Sequence, residues 1–234
     1  MGFFADSFRS AFQLFINLDQ ELLEIIGVSL RVSFSATLIA SLVGIPAAFF
    51  IAGRTFPGKR LVLTILNTLL ALPTVVIGLV VYSFISRRGI LGPLDLLYTQ
   101  TAMVIGQVIL IVPVIMTLTI AAVSRIDGRY RLTALTLGAG PWALALVILQ
   151  EARYGIFAAV IAAFGRVIAE VGISMMLGGN AKGFTRTMTT AMALEYDKGE
   201  FVLAVALGIA LMSIAFLINI LFHFFQGRSD HGPV

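Results

Sequence analysis

The sequence predicts an all-α integral membrane protein with five transmembrane helices. Of the 234 residues, 59% are hydrophobic and 12% are charged, and the mean hydropathy is +1.01. In soluble domains about a quarter of the residues are charged, so lipid is the expected solvent of this chain. Five apolar runs are each long enough for the helix of about 20 residues that crosses the hydrocarbon. They are Ile25–Ala52, Leu61–Ile85, Thr101–Val123, Ile156–Leu177 and Phe201–Phe225.

Helices are preferred to a barrel because the runs lack the alternation of apolar and polar residues that barrel strands show. The spans leave no room for a separate soluble domain, so residues 1–234 are expected to form a single membrane domain. With no cysteine in the chain, disulfides and thiolate metal sites are excluded.

Basic residues near span ends predict the orientation, because cytoplasmic loops carry the excess of Lys and Arg. One side of the membrane would hold Arg54, Lys59, Arg60, Arg125, Arg129, Arg131, Arg153 and Arg228. The other side would hold Arg9, Arg87, Arg88, Lys182, Arg186 and Lys198. The first group is larger and more concentrated, so we place it in the cytoplasm. The N-terminus and residues 178–200 are then outside, whereas residues 124–155 and the C-terminus are cytoplasmic.

Residues 1–24 carry phenylalanines at helical spacing, at Phe4, Phe8, Phe12 and Phe15. This pattern predicts an amphipathic helix on the outer surface, although an elbow helix packed against the spans would show the same spacing. No basic region precedes an apolar core here, so a removable signal peptide is not expected.

Groups for catalysis are missing from the spans. The two histidines, His223 and His231, lie near the C-terminus, and Gly58-Lys59 is followed by Arg60 where a P-loop has Ser or Thr. We therefore expect no catalytic residue, no metal site and no cofactor bound by this chain. The net charge of +4 comes from loops beside the membrane, so it does not indicate nucleic-acid binding. Energy for any transport must come from another subunit or from a gradient.

Two charges lie inside the fourth run, Arg166 and Glu170. At this spacing two residues share a helix face and can pair. The pair is either structural, or it borders an anion pathway together with Ser174, where Gly165 and Gly172 permit close helix approach. In the second run, Pro73 removes a backbone donor just before Thr74, a defect tolerated where protein or water can satisfy the freed carbonyl. We assign five residues to a candidate translocation path, namely Pro73, Thr74, Arg166, Glu170 and Ser174.

The segment between the fourth and fifth runs is rich in hydroxyls and glycine. Its candidate anion-contacting residues at the outer mouth are Asn180, Thr185, Arg186 and Thr187. A solvated outer loop would have the same composition.

A polar, glycine-punctuated insert separates the third and fourth runs and predicts a surface on which another protein docks. Here Ala134, Leu137, Gly138 and Ala139 follow the Ala-x-x-Leu-Gly-Ala pattern that makes a short helix in the cytoplasmic coupling loop of bacterial ABC-importer permeases. The segment expected to contact an ATPase comprises Thr133, Ala134, Leu135, Thr136, Leu137, Gly138, Ala139, Gly140 and Pro141.

From about Val28 to Phe225 the chain resembles the permease subunit of the molybdate, tungstate and sulfate branch of ABC importers. Beyond the coupling loop, the motifs are Gly44–Gly53 before Phe56–Lys59, Leu72-Pro-Thr-Val-Val-Ile-Gly78, and Ser86-Arg-Arg-Gly-Ile-Leu-Gly92. The segments Phe164–Asn180 and Thr185–Thr190 are most similar to tungstate permeases. The chain departs from the family pattern at Leu132-Thr133-Ala134, where relatives commonly have Glu-Ala-Ala, so a glutamate contact to the ATPase is not expected.

The resemblance implies the type I ABC-importer permease fold in a bacterial or archaeal cytoplasmic membrane. It also implies a homodimer, two ATPase subunits that bind ATP and Mg, and an extracytoplasmic oxyanion-binding protein, with tungstate as the expected substrate and molybdate or sulfate as alternatives. On physical grounds a gradient-driven anion carrier with Glu170 as a proton site is a rival. The docking loop argues against that carrier and for an ATPase partner. A membrane enzyme is disfavoured by the missing catalytic groups, and a purely structural membrane anchor would show no transport.

Overall fold

The computed structural model describes Arg9, Phe12, Gln13, Ile16, Asn17 and residues 19–227, with side chains as far as residue 220. Nine α-helices lie in the described part. They are α1 (Gln20–Gly53), α2 (Lys59–Leu70), α3 (Thr74–Ile85), α4 (Gln100–Ser124), α5 (Gly128–Thr136), α6 (Pro141–Ile168), α7 (Gly172–Gly178), α8 (Met188–Lys198) and α9 (Phe201–Gly227). A short 3₁₀ helix at Gly92–Leu94 lies between α3 and α4.

Four helices are long and apolar enough to cross a membrane by length and composition, namely α1, α4, α6 and α9. The pair α2 and α3 passes the same test together and supplies a fifth span if it is counted as one. The predicted all-α membrane architecture is therefore confirmed, with four candidate spans in the described residues, or five with the bent pair.

Helix α1 is longer than the membrane is thick. Its 34 residues span about 50 Å at 1.5 Å per residue, whereas the hydrocarbon is about 30 Å thick. Asp19 caps the start of α1, since the Asp19 carboxylate accepts from Leu22 N at 2.9 Å. Pro46 lies within the helix without breaking it. At its far end Lys59 donates to the carbonyls of Ala52 at 3.2 Å and Arg54 at 2.9 Å. This lysine thus satisfies carbonyls at the helix end and fixes the tight turn into α2.

The second predicted span, 61–85, is not a continuous helix. Helices α2 and α3 meet at an angle of 100°, and Pro73 stands immediately before the first residue of α3. A proline disfavours helical backbone in the residue before it, and this explains why α2 ends ahead of it. The predicted interruption at Pro73 is thus confirmed, and it is a sharp bend.

Helix α4 is the centre of the bundle and packs against α1, α2, α3, α6 and α7. The main core combines its fully buried Ile111 and Ile115 with Ala36 and Ala40 of α1 and Ala163 of α6. Small residues allow the helix backbones to approach closely, which drives association in lipid. Pro113 lies inside α4 without interrupting it.

Glycines mark the closest approaches to α4. A Cβ on Gly155 of α6 would lie 2.5 Å from the Cβ of Ala122, and one on Gly106 of α4 would lie 2.6 Å from both Ile173 and Leu177 of α7. Such distances are not tolerated by real side chains. Glycine at these positions therefore lets α6 and α7 lie directly against α4.

The predicted loop 124–155 and the predicted span 156–177 were wrong in their boundaries. Helix α6 already begins at Pro141 and ends at Ile168, and α7 is a separate helix of 7 residues. The 28 residues of α6 reach about 42 Å, so one end extends past the hydrocarbon. The polar stretch Gln150–Tyr154 therefore belongs to a helix and not to a loop.

The predicted outer loop 178–200 contains a helix. Helix α8 packs mainly on α9, and Met188 and Ala191 are buried with Ala206 and Leu207 in a second core. The predicted amphipathic stripe at Phe4, Phe8 and Phe15 lies outside the described residues, as do Arg228, His231 and the side chain of His223.

Candidate functional site

Two breaks in the helices lie side by side. One is the bend between α2 and α3, and the other is the break between α6 and α7. A Cβ on Gly172, the first residue of α7, would lie 3.1 Å from Thr74 Oγ1 and 3.3 Å from Glu170 Oε1. The structure thus brings the predicted path residues Thr74 and Glu170 to one point, and Gly172 is the residue that leaves space between them.

The buried Glu170 side chain caps α7. It is 8% exposed, and its Oε1 accepts a hydrogen bond from Ile173 N at 3.2 Å. Its backbone carbonyl also accepts from the Thr189 hydroxyl at 2.8 Å. A carboxylate at a helix N-terminus satisfies otherwise unpaired N–H groups. Glu170 therefore joins the end of α6, the start of α7 and the start of α8.

The predicted pair of Arg166 with Glu170 was wrong. Arg166 lies in the last turn of α6 and is exposed, whereas Glu170 lies beyond the end of that helix. No ion pair joins them, although both belong to the described residues. The helical spacing that would bring the two side chains together is lost because α6 ends at Ile168.

Ser174 forms a buried polar contact with a residue that the sequence analysis missed. Gln107 of α4 donates from Nε2 to Ser174 Oγ at 3.2 Å, and both side chains are at most 1% exposed. The other amide atom, Gln107 Oε1, is buried without a hydrogen-bond partner in the described structure. A single amide inside the apolar run 101–123 was the available signal, since polar side chains inside a membrane span are rare.

The predicted outer-mouth threonines are engaged within the fold. Thr185 is fully buried, donates to Gly178 O at 2.5 Å and accepts from Ala181 N at 3.0 Å. Thr187 caps α8 through a reciprocal capping box with Thr190. These hydroxyls hold the turn before α8 in shape.

Arg186 is held in an ionic network. Its Nη1 lies 3.6 Å from Glu21 of α1 and 4.0 Å from Glu195 of α8, and lysines also pair with these two carboxylates. Its Nε is buried without a partner in the described structure. Nearby, Asn180 has a φ of 53° and donates to Thr190 O at 3.3 Å. The network fixes the segment before α8 to the first turn of α1.

The predicted coupling segment forms a short helix followed by an open turn. Helix α5 ends at Thr136, and its Ala134 is buried, whereas Leu137 is 81% exposed. Gly138 has a φ of 78°, and open space surrounds the position of its absent Cβ. Gly140 and Pro141 then start α6, with the proline at a first-turn position, where it is favoured.

Apolar side chains surround this turn. The most exposed ones are Leu132, Leu135, Leu137 and Trp142. Beside them lies a groove of about 510 Å³ between α5 and α6, whose wall includes Asp127, Thr133 and Val147. An exposed apolar patch of this kind is typical of a surface that contacts another protein or the membrane.

Comparisons with known proteins agree with this architecture. Residues 41–231 match the model of a family described as the binding-protein-dependent transport system inner membrane component. A tungstate uptake system permease protein of Peptoclostridium acidaminophilum is 39% identical over 226 residues, which cover 97% of this chain and 99% of that protein. A molybdenum transport system permease protein of Escherichia coli K12 is 30% identical and covers 82% of this chain and 89% of that protein.

A solved structure shares the fold. The crystal structure of a bacterial alginate ABC transporter in complex with its periplasmic protein, which carries an alginate pentasaccharide, contains a chain that matches with a TM-score of 0.76. The match covers 100% of this chain and 85% of that chain at 19% sequence identity. At this identity the likeness concerns the fold alone.

Proposed function

Because the chain belongs to the family of binding-protein-dependent transport system inner membrane components, we propose that it is the permease subunit of an ATP-driven tungstate importer. The observation that carries this proposal is the 39% identity, over nearly the full length of both chains, with a tungstate uptake permease. The molybdenum relative has a lower identity of 30%, so molybdate and sulfate are the second candidates. All three are tetrahedral dianions.

The assembly that we propose contains two copies of this chain, two ATPase subunits and an extracytoplasmic binding protein. The exposed apolar face of α3, which carries Val75, Val76, Leu79 and Val80, supports a second copy at this face. The open turn at Gly138 supports docking of an ATPase, which binds the ATP and Mg. The shared fold with a transporter solved together with its periplasmic protein supports the third partner.

Transport in this proposal follows alternating access. ATP closes the ATPase pair, the two α5 turns move together, and the path opens outward to receive the anion. Hydrolysis then resets the permease. A ligand shifts such an equilibrium only through its different affinity for the two states, so ATP must favour the outward-open state.

The proposed path runs along the two adjacent helix breaks. Pro73 and Thr74 supply one side, and Glu170 and Ser174 the other, because unwound backbone and polar side chains inside a membrane are tolerated where they line a cavity. Arg166, exposed at the end of α6, would attract the anion. The residues Asn180, Thr185, Arg186 and Thr187 would shape the outer mouth, with Arg186 held by carboxylates.

Reconstituted transport tests the proposed function. The chain is purified together with the ATPase and the binding protein of its transport system and inserted into liposomes. We expect uptake of tungstate that requires both ATP and the binding protein. Uptake without ATP would contradict the proposal and favour a gradient-driven carrier. Loss of the ATPase during purification under mild conditions would also count against it.

The orientation is a separate prediction. Cysteine labelling has no background because the chain contains none. Ser124 and Asp197 are exposed, so a cysteine at either position can react with a thiol reagent. A cysteine at the buried Thr185 could not. An impermeant thiol reagent on intact cells, with the outer barrier opened, should label Asp197→Cys but not Ser124→Cys, and permeabilised cells should label both. Labelling of Ser124→Cys alone in intact cells would show that the orientation is the reverse of the predicted one.

A further inference from the structure

A concave pocket of about 690 Å³ lies where the chain turns between α3 and α4. Its walls include Tyr82 from α3, the adjacent Arg87 and Arg88, and Asp95 and Tyr98 from the following connection. The volume is within the range of small-molecule sites, about 300–1,000 Å³. The pocket lies on the face that the basic-residue distribution places outside.

Two glycines fold the arginine-bearing turn tightly. A Cβ on Gly89 would collide with the carbonyl oxygens of Ser83 and Phe84, and one on Gly92 would lie 2.7 Å from the carbonyl of Arg87. Gly89 N donates to Ser86 O at 2.7 Å, which closes the turn. The fold therefore keeps Arg87 and Arg88 beside the same cavity directly after the end of α3.

The charge of this pocket favours an anion. Arg87 and Arg88 are both exposed, and neither forms an ion pair with any carboxylate that the structure describes. Asp95 is the one acidic residue among the lining residues, so the pocket keeps a net positive charge. Arginine side chains match oxyanions through charge-assisted hydrogen bonds.

The pocket lies beside a second cavity that reaches α7. A second cavity of about 680 Å³ shares Tyr82 and Tyr98 with it and extends along Met175 to Gly179 of the α7 end. Tyr98 N donates to Leu177 O at 2.8 Å, which ties this connection to α7. Helix α7 is only about 10 Å long, and its other end is the break at Glu170. An anion held by the arginines would therefore lie about one short helix from the two breaks.

We propose that Arg87 and Arg88 form a capture site for a hydrated tetrahedral oxyanion, which receives the anion at the outer face before it enters the path. The cavity is much larger than such an anion, so water bridges part of the contacts. A site on a transport route must bind weakly enough to release its ion. This inference takes the identity of the anion from the proposed function, but the site itself rests on the pocket and its charge.

Arginine modification tests the site without transport. The purified permease in detergent is treated with an arginine-specific phenylglyoxal, and the modified residues are quantified by mass spectrometry. We expect tungstate to slow modification of Arg87 and Arg88 several-fold compared with chloride at the same ionic strength. The exposed Arg131 should react equally in both. Equal protection by chloride would overturn the proposal, because it would indicate screening alone.

A phospholipid headgroup has the same chemistry as the free anion, and the assay separates the two. Modification is repeated in nanodiscs with and without anionic phospholipid. The proposal requires protection by tungstate in both. Protection that depends on anionic lipid and not on tungstate would assign the arginines to the membrane surface and overturn the capture site.

Uptake separates anion capture from docking of the binding protein. In the reconstituted transporter, Arg87→Gln with Arg88→Gln should lower tungstate uptake at limiting loaded binding protein by about tenfold, the loss typical for one charge-assisted hydrogen bond. The ATPase stimulation by the binding protein should remain, and Arg31→Gln, an exposed arginine outside the pocket, should behave as wild type. Loss of ATPase stimulation together with uptake would show that the arginines dock the partner and would overturn the proposal. If the wild type transports no tungstate, the proposed function fails, whereas the modification assay still tests the site with molybdate and sulfate.

Discussion

Replacement of Gly138 by tryptophan is expected to abolish tungstate uptake while the permease stays folded in the membrane. Gly138 follows α5 at an exposed turn, with nothing within 4 Å of the position of its absent Cβ. The permease itself therefore has room for the indole, but an ATPase subunit docked on this turn would not. We expect the ATPase to lose its stimulation by the loaded binding protein, and both activities are measured in the reconstituted transporter.

Two control variants separate bulk from backbone strain. The φ of 78° at Gly138 costs a side-chain-bearing residue roughly 1–2 kcal/mol, and Gly138→Ala carries this cost without the bulk. Gly58 also has a positive φ of 91° and open surroundings, in the turn between α1 and α2. Gly138→Ala and Gly58→Trp should both retain most of the uptake. Normal uptake and normal ATPase stimulation in Gly138→Trp would refute docking at this turn.

The membrane architecture could be predicted from composition, but the positions of the helix ends could not. Long apolar runs predicted α1, α4 and α9 within a few residues, because an unsatisfied backbone in hydrocarbon is costly and each run had to be helical. The fourth run was misplaced because hydropathy measures average apolarity. Helix α6 is longer than the hydrocarbon is thick, and it contains the polar stretch Gln150–Tyr154. The polar residues therefore do not mark the start of the helix.

Sequence spacing did not predict the contacts that the candidate path residues make. Pro73 gave a reliable signal because its effect on the backbone is local. The position of Glu170 depends on where α6 ends, and just beyond this end α7 packs against α4 at Gly106. A contact across the bundle leaves no periodicity in the sequence. For the same reason the bond from Gln107 to Ser174 could not be predicted from spacing.

Composition alone could not assign a role to the segment between α7 and α8. Its threonines and Arg186 have a composition that fits either a solvated loop or an anion site. In the structure these groups pair with one another, with backbone and with carboxylates of α1 and α8. Thr187 caps α8 reciprocally with Thr190, but Thr-x-x-Thr differs from the Thr-x-x-Glu or Thr-x-x-Gln signature of a capping box. The start of α8 was therefore marked in the sequence only by a threonine at the N-cap position.

Glu170 is expected to tolerate glutamine and not leucine. The Glu170 side chain accepts from Ile173 N at 3.2 Å in a buried position, and the glutamine amide oxygen can accept the same bond. Leucine leaves that N–H without a partner, at a cost of about 1–3 kcal/mol, in the short helix beside Thr74. We therefore expect Glu170→Leu to lower the melting temperature in detergent and to abolish uptake, and Glu170→Gln to retain most of both.

The same two variants separate the ATP-driven permease from the gradient-driven carrier. If Glu170 carried a proton during transport, glutamine could not replace it, and Glu170→Gln would lose uptake with an unchanged melting temperature. Glu151 of α6 is exposed, so Glu151→Leu is the control for removal of a carboxylate and should match the wild type. Uptake that persists without ATP and disappears in Glu170→Gln would overturn the capping role. Uptake that requires ATP and survives in Glu170→Gln would leave the carboxylate as the group that positions α7 at the meeting point of the two helix breaks.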